Sequence, residues 1–69
     1  MDNSHENDLP EKLAQPARRA LVNAGYTRLE QIAALRTTEL LDMHGMGPKA
    51  LTQLRQALQA RGLSFADEA

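Results

Sequence analysis

The stretch Leu40–Leu51, LLDMHGMGPKAL, decides how this chain folds. Leu40, Leu41 and Met43 give a short apolar helix. Gly45 and Gly47 follow two positions apart, and Pro48 stands where a second helix begins. Glycine permits positive φ and lets backbone approach a neighbour closely. Proline suits the first helical turn, where its missing N–H costs nothing. The reading is a helix, a tight hairpin over Gly45–Gly47 and a second helix from Pro48, with Met46 turned inward to plug the core. The same residues carry a chemical reading. A helix N-terminus offers unpaired N–H groups and the positive end of a dipole, which suit an anion. Lys49 adds a mobile positive charge beside it. A plain helix–helix turn has the same spacing, so phosphate binding and simple turn formation both stand open at this point.

Working outward, the last helix is expected from Pro48 to Arg61. Ala50, Leu51, Leu54, Ala57 and Leu58 fall on one side of it, and Lys49, Gln53, Arg55, Gln56 and Gln59 largely on the other. Gly62 closes this helix, Leu63 supplies the apolar contact that follows such a cap, and Phe65 folds back onto the core. Upstream, Thr37 is the expected N-cap of a third helix with Glu39 in its first turn; Leu40, Leu41 and Met43 form its buried face. Leu29–Leu35 reads as a short second helix with Leu29, Ile32 and Ala33 inward. The first helix starts near Pro16, carries Ala17, Ala20, Leu21 and Ala24 as one apolar stripe, and ends at Gly25. Leu9 and Leu13 flank Pro10 in an approach segment that packs on the domain. No stretch alternates with period two. The expected architecture is all-α, a compact bundle of four to five short helices over residues 9–65. Residues 1–8 are expected to form a disordered acidic tail and residues 66–69 a flexible one.

Composition narrows the function. Sixty-nine residues make one domain with a small core. The absence of cysteine excludes disulfides and thiolate metal sites. His5 and His44 are isolated, and no cluster of histidine and carboxylate has metal-ligand spacing. The nearest carboxylate to His44 along the chain is Asp42, and no nucleophile accompanies them, so His44 reads as an exposed loop histidine. Neither an enzyme nor a metal or cofactor site is expected. No apolar run approaches the ~20 residues of a membrane span. The acidic start MDNSHENDLPEK is the opposite of a signal peptide, so a cytoplasmic location is expected. One Tyr, one Phe and no Trp argue against a stacking platform for single strands. The net charge of −1 hides a segregation. Asp2, Glu6, Asp8 and Glu11 lie at one end and Asp67 and Glu68 at the other. Residues 12–61 carry all eight basic side chains against Glu30, Glu39 and Asp42, a net of +5. A basic module suits an acidic partner. Acidic ends folded over the basic face are an arrangement the same charges allow.

Three stretches have a recognisable arrangement: ARRALVNAGYTRLEQI from Ala17 to Ile32, the ELL of Glu39–Leu41 leading into GMGPKAL, and ARGLSF from Ala60 to Phe65. From Leu13 to Phe65 the chain resembles the C-terminal domain of the bacterial RNA polymerase alpha subunit. The resemblance implies a SAM-domain-like fold containing a helix-hairpin-helix. It also implies binding in the DNA minor groove at A·T-rich promoter elements, and contact with transcription activators and sigma factor. The DNA face of that family joins the start of the first helix to the hairpin and the start of the last helix. Gly47 matches the glycine whose backbone approaches phosphate, and Lys49 matches a basic phosphate contact. The family's principal groove arginine falls at Pro16, which has neither charge nor donor, and an asparagine contact position holds Arg19. An inserted arginine is what typically senses groove width; without it, the remaining phosphate contacts position a protein but do not specify sequence. Arg18 and Arg19 are candidate replacements, with Arg55 as a possible flank. The expected site is therefore Arg18, Arg19, Gly45, Gly47 and Lys49. The expected protein is a free-standing bacterial relative of one domain, a monomer binding double-stranded DNA at ~10⁻⁴ to 10⁻⁶ M with marked salt dependence. The alternative is a module that keeps the fold and binds a transcription protein instead.

Overall fold

Pro48–Ala60 forms the longest helix of the computed structural model, which describes residues 8–69. In chain order the elements are α1 (Gln15–Asn23), α2 (Leu29–Ala33), α3 (Thr37–Leu41), α4 (Pro48–Ala60) and a 3₁₀ turn at Ala66–Glu68. No strand occurs among the described residues. The apolar periodicity explains the packing. Helix α4 buries Ala50, Leu51, Leu54 and Leu58, and α2 and α3 both pack against it. Helix α1 buries Ala17 and Leu21, α2 buries Leu29 and Ile32, and α3 buries Leu40. Leu9 and Leu13 of the approach segment, Leu35, Met46 and Phe65 complete one core. Phe65, Leu21, Ile32, Leu40, Leu54 and Leu58 are sealed from solvent. Each such side chain contributes roughly 1.5–3 kcal/mol by leaving water.

The C-terminal ends of α1 and α4 are set by glycine. Gly62 adopts φ +73° beyond α4. Its N–H donates to the Gln59 carbonyl at 3.0 Å, and the Leu63 N–H donates to the Leu58 carbonyl at 2.8 Å. Those two bonds satisfy carbonyls that the helix itself leaves unpaired. Helix α1 closes in the same way, with the Tyr26 N–H donating to the Leu21 carbonyl at 2.8 Å.

Several elements differ from the sequence reading. Helix α2 stops at Ala33; Leu35 is still buried, in a turn whose N–H donates to the Ile32 carbonyl at 2.9 Å. The N-cap of α3 is Arg36, not Thr37. Glu39 Oε1 accepts the Arg36 N–H at 2.8 Å, so the first-turn carboxylate supplies the cap from inside the helix. Leu40 is fully buried, but Leu41 is 45% exposed and Met43 half-buried. A five-residue helix turns through little more than one turn and has one inward direction, which Leu40 takes.

The two ends also differ. Residues 1–7 of the expected tail lie outside the described residues. Asp8, expected in that tail, donates its N–H to the Thr27 carbonyl at 2.8 Å, and its carboxylate faces Arg61 at 3.4 Å. Residues 66–68, expected to be loose, form the 3₁₀ turn. The Ala66 N–H donates to the Leu35 carbonyl at 2.8 Å. Asp67 accepts the Thr37 hydroxyl at 2.6 Å and the Thr37 N–H at 3.1 Å. Glu68 takes Arg55 in a two-pronged pair at 2.9 and 2.6 Å. Composition alone reads acidic terminal residues as solvated; Thr37 and Arg55 give them partners. No helix is long and apolar enough to cross a membrane among the described residues.

Candidate functional site

The hairpin between α3 and α4 is built on two short turns. The Met43 N–H donates to the Leu40 carbonyl at 3.0 Å, and the Met46 N–H to the Met43 carbonyl at 3.1 Å. Gly45 lies between them at φ +91°, in the left-handed region. A Cβ at this position would stand 2.8 Å from the Pro16 carbonyl oxygen, so the hairpin rests directly on the first turn of α1. The close approach that glycine permits is made here to the protein's own backbone. Met46 is buried beside it, as its position between the glycines suggested.

Gly47 plays a different part. Its φ of −134° is extended backbone, and it is the N-cap of α4. Lacking a side chain, it gives the first turn of α4 no side-chain hydrogen bond. Pro48 has no N–H to satisfy. Lys49, exposed, follows as the second helical residue. The N-terminus of a 13-residue helix is thus left with its positive dipole end uncapped and a lysine beside it.

A shallow groove of about 550 Å³ opens between α1 and the hairpin. Pro16, Arg19, Ala20 and Asn23, one helical face, form its α1 wall. Met43, His44 and Gly45 form the facing wall. No carboxylate lines it. The side chains of Arg19 and His44 are both exposed and have no hydrogen-bond or ion-pair partner among the described residues. The structure therefore brings Arg19 and Gly45 to one groove, while Gly47 and Lys49 lie just beyond it along the chain. Arg18 points elsewhere: half-buried, it donates to the Pro10 carbonyl and ties α1 to the approach segment. His44 is exposed, as its loop position suggested, but its place opposite Arg19 was not read from the sequence; the available signal was its position immediately before the hairpin glycine.

Arg55 is engaged rather than free. Besides Glu68, its guanidinium stands 5.8 Å from the centroid of the Phe65 ring. The hydrogen bond to Glu68 raises the Arg55 pKa above its ordinary value. The same bond holds the Glu68 carboxyl below the usual range, and the Thr37 hydroxyl and N–H do so for Asp67. No group of three or more metal-ligating side chains occurs among the described residues.

Comparison of the chain with protein-family models, with characterised proteins and with solved structures gives no match.

Proposed function

We propose that this chain is a small DNA-binding protein, acting in transcription in the bacterial cytoplasm, that holds the phosphate backbone of duplex DNA through its hairpin. The observation that carries the reading is the uncapped start of α4 at Gly47–Lys49, next to a carboxylate-free groove that presents Arg19. Backbone N–H groups and a dipole end meet Lys49 at the start of α4, and Arg19 lines the groove that Gly45 borders; neither cation has a carboxylate partner among the described residues. The likeness of Leu13–Phe65 to the polymerase alpha C-terminal domain supports the same face. Pro16 at the start of α1 supplies no groove-reading side chain, so binding is weak, salt-dependent and nearly indifferent to sequence. The role is binding, not catalysis, and the protein acts as a monomer.

An amide NMR titration with a short A·T-rich duplex and a G·C-rich control, at low and physiological salt, tests this. Shifts centred on Gly45–Lys49 and Arg19, reduced by salt, are expected. No shifts at low salt and millimolar DNA overturn the reading. A second reading, a protein-interaction module of the same fold, is favoured by Val22 and Leu41, which stand 42% and 45% exposed. Recovery of a defined protein partner by a chain that binds no DNA would establish it.

A further inference from the structure

Resting on that reading, we infer that the C-terminal turn is an internal competitor of the polyanion: Glu68 occupies the edge of Arg55 that a phosphate would take, and Asp67, fastened to Thr37, holds Glu68 there. The two occupants have like chemistry. A guanidinium presents parallel N–H donors along one edge, and carboxylate and phosphate oxygens both accept them in pairs. Glu68 already takes that edge: Arg55 Nε donates to Oε1 at 2.9 Å and Nη2 to Oε2 at 2.6 Å. The Phe65 ring, its centroid 5.8 Å from the guanidinium carbon, steadies the same group.

The anchoring of the turn sets this contact apart from an ordinary surface ion pair. Phe65, immediately before the turn, is sealed in the core. The Ala66 N–H is fixed to the Leu35 carbonyl, and the Asp67 carboxylate accepts both the hydroxyl and the N–H of Thr37. Arg36 adds a positive charge near Asp67. A loose glutamate would lose chain entropy on reaching Arg55; here the fold has already fixed the residues before it. The carboxylate therefore stands at high effective concentration beside its guanidinium. The consequence is directional. With Arg55 taken, a duplex gains little by docking on the middle of α4, and the start of that helix keeps the contact.

The salt dependence of duplex binding, followed by fluorescence anisotropy across a double-mutant cycle, tests the competition. Glu68→Gln is expected to steepen the salt slope by about 0.9 and to tighten binding by up to roughly eightfold at 0.1 M salt, as one further phosphate contact would. In an Arg55→Ala background the same substitution is expected to change neither. Thr37→Val removes the anchoring hydroxyl and no charge, and is expected to tighten binding by a smaller factor. Glu30→Gln removes an exposed carboxylate that has no ion-pair partner among the described residues, and leaves the slope unchanged. A gain from Glu68→Gln that persists without Arg55, or wild-type affinity in both Glu68→Gln and Thr37→Val, overturns the competition and leaves the hairpin reading intact. The salt needed to elute each variant from heparin, a polyanion without bases, separates the remaining outcomes. If no variant binds duplex, the hairpin reading fails; later elution of Glu68→Gln that depends on Arg55 then upholds the competition, and equal elution of all variants overturns it as well.

Discussion

Lys49 and Arg61 stand at opposite ends of α4, and their surroundings differ in kind. Arg61 faces the Asp8 carboxylate, and Arg55, midway along, is gripped by Glu68. Lys49 and Arg19, at the hairpin, have no carboxylate partner among the described residues. Exposed ion pairs of this sort add little to stability. They do take charge out of the field that an approaching polyanion meets. Among the described acidic end residues, Asp8 and Glu68 pair with Arg61 and Arg55, on the far part of α4, and Asp67 with Thr37 of α3. Availability of a cation, more than the number of cations, distinguishes the two regions.

The largest effect expected from breaking the far region is Phe65→Ala. A fully buried ring lost from the core costs about 3–5 kcal/mol, enough to leave so small a domain largely unfolded in a thermal melt followed by circular dichroism. Gly45→Ala breaks the hairpin region instead. Positive φ and the clash with the Pro16 carbonyl cost about 2–3 kcal/mol together. Gly62→Ala shares the positive φ but meets open space, and costs about 1 kcal/mol. Equal losses for the two glycine variants would show that the hairpin does not rest on α1.

Smaller effects sharpen the contrast in charge. Lys49→Ala and Arg19→Ala should each reduce the salt slope of DNA binding by about 0.9. Arg55→Ala, already paired, should leave it unchanged. A reduced slope for Arg55→Ala would mean that Glu68 does not hold it when DNA is present. The smallest effect concerns pH. Asp67 and Glu68 have carboxyl groups held below their ordinary pKa. Their contribution is complete above the usual carboxylate range and is lost as pH falls through it towards the folded values. Amide shifts of Thr37 and Ala66 should move together as pH drops below about 4, while those of Lys49 stay still.

The helical order and nearly all of the core were legible because the apolar spacing in α1 and α4 is regular and each helix ends at a glycine. The short helices were harder. In α3, Leu40, Leu41 and Met43 look alike as apolar residues, and only packing on α4 decides which one is buried. The partners of Thr37 and Arg55 lie far along the chain, at Asp67 and Glu68, so no local pattern announces them. For the candidate site, the glycine and proline spacing marked the hairpin and put Lys49 in the first turn of α4. It did not separate Arg18 from Arg19, because adjacent helical residues point about 100° apart and only the fold shows which one meets the approach segment. Nor did it distinguish the glycines: Gly45 is needed for contact with α1, and Gly47 for the side chain it omits.

Asp8 and Arg61 meet where the approach segment begins and α4 ends. By the rise of a 13-residue helix, that junction lies roughly 20 Å from the start of α4. A second domain, or a second copy, tethered there would leave the hairpin unobstructed. If the proposed weak grip on DNA holds, tethering has a large return: two linked copies on one duplex would bind with an effective concentration set by the tether, and avidity can exceed a single affinity by roughly 10²–10⁴ without any new contact.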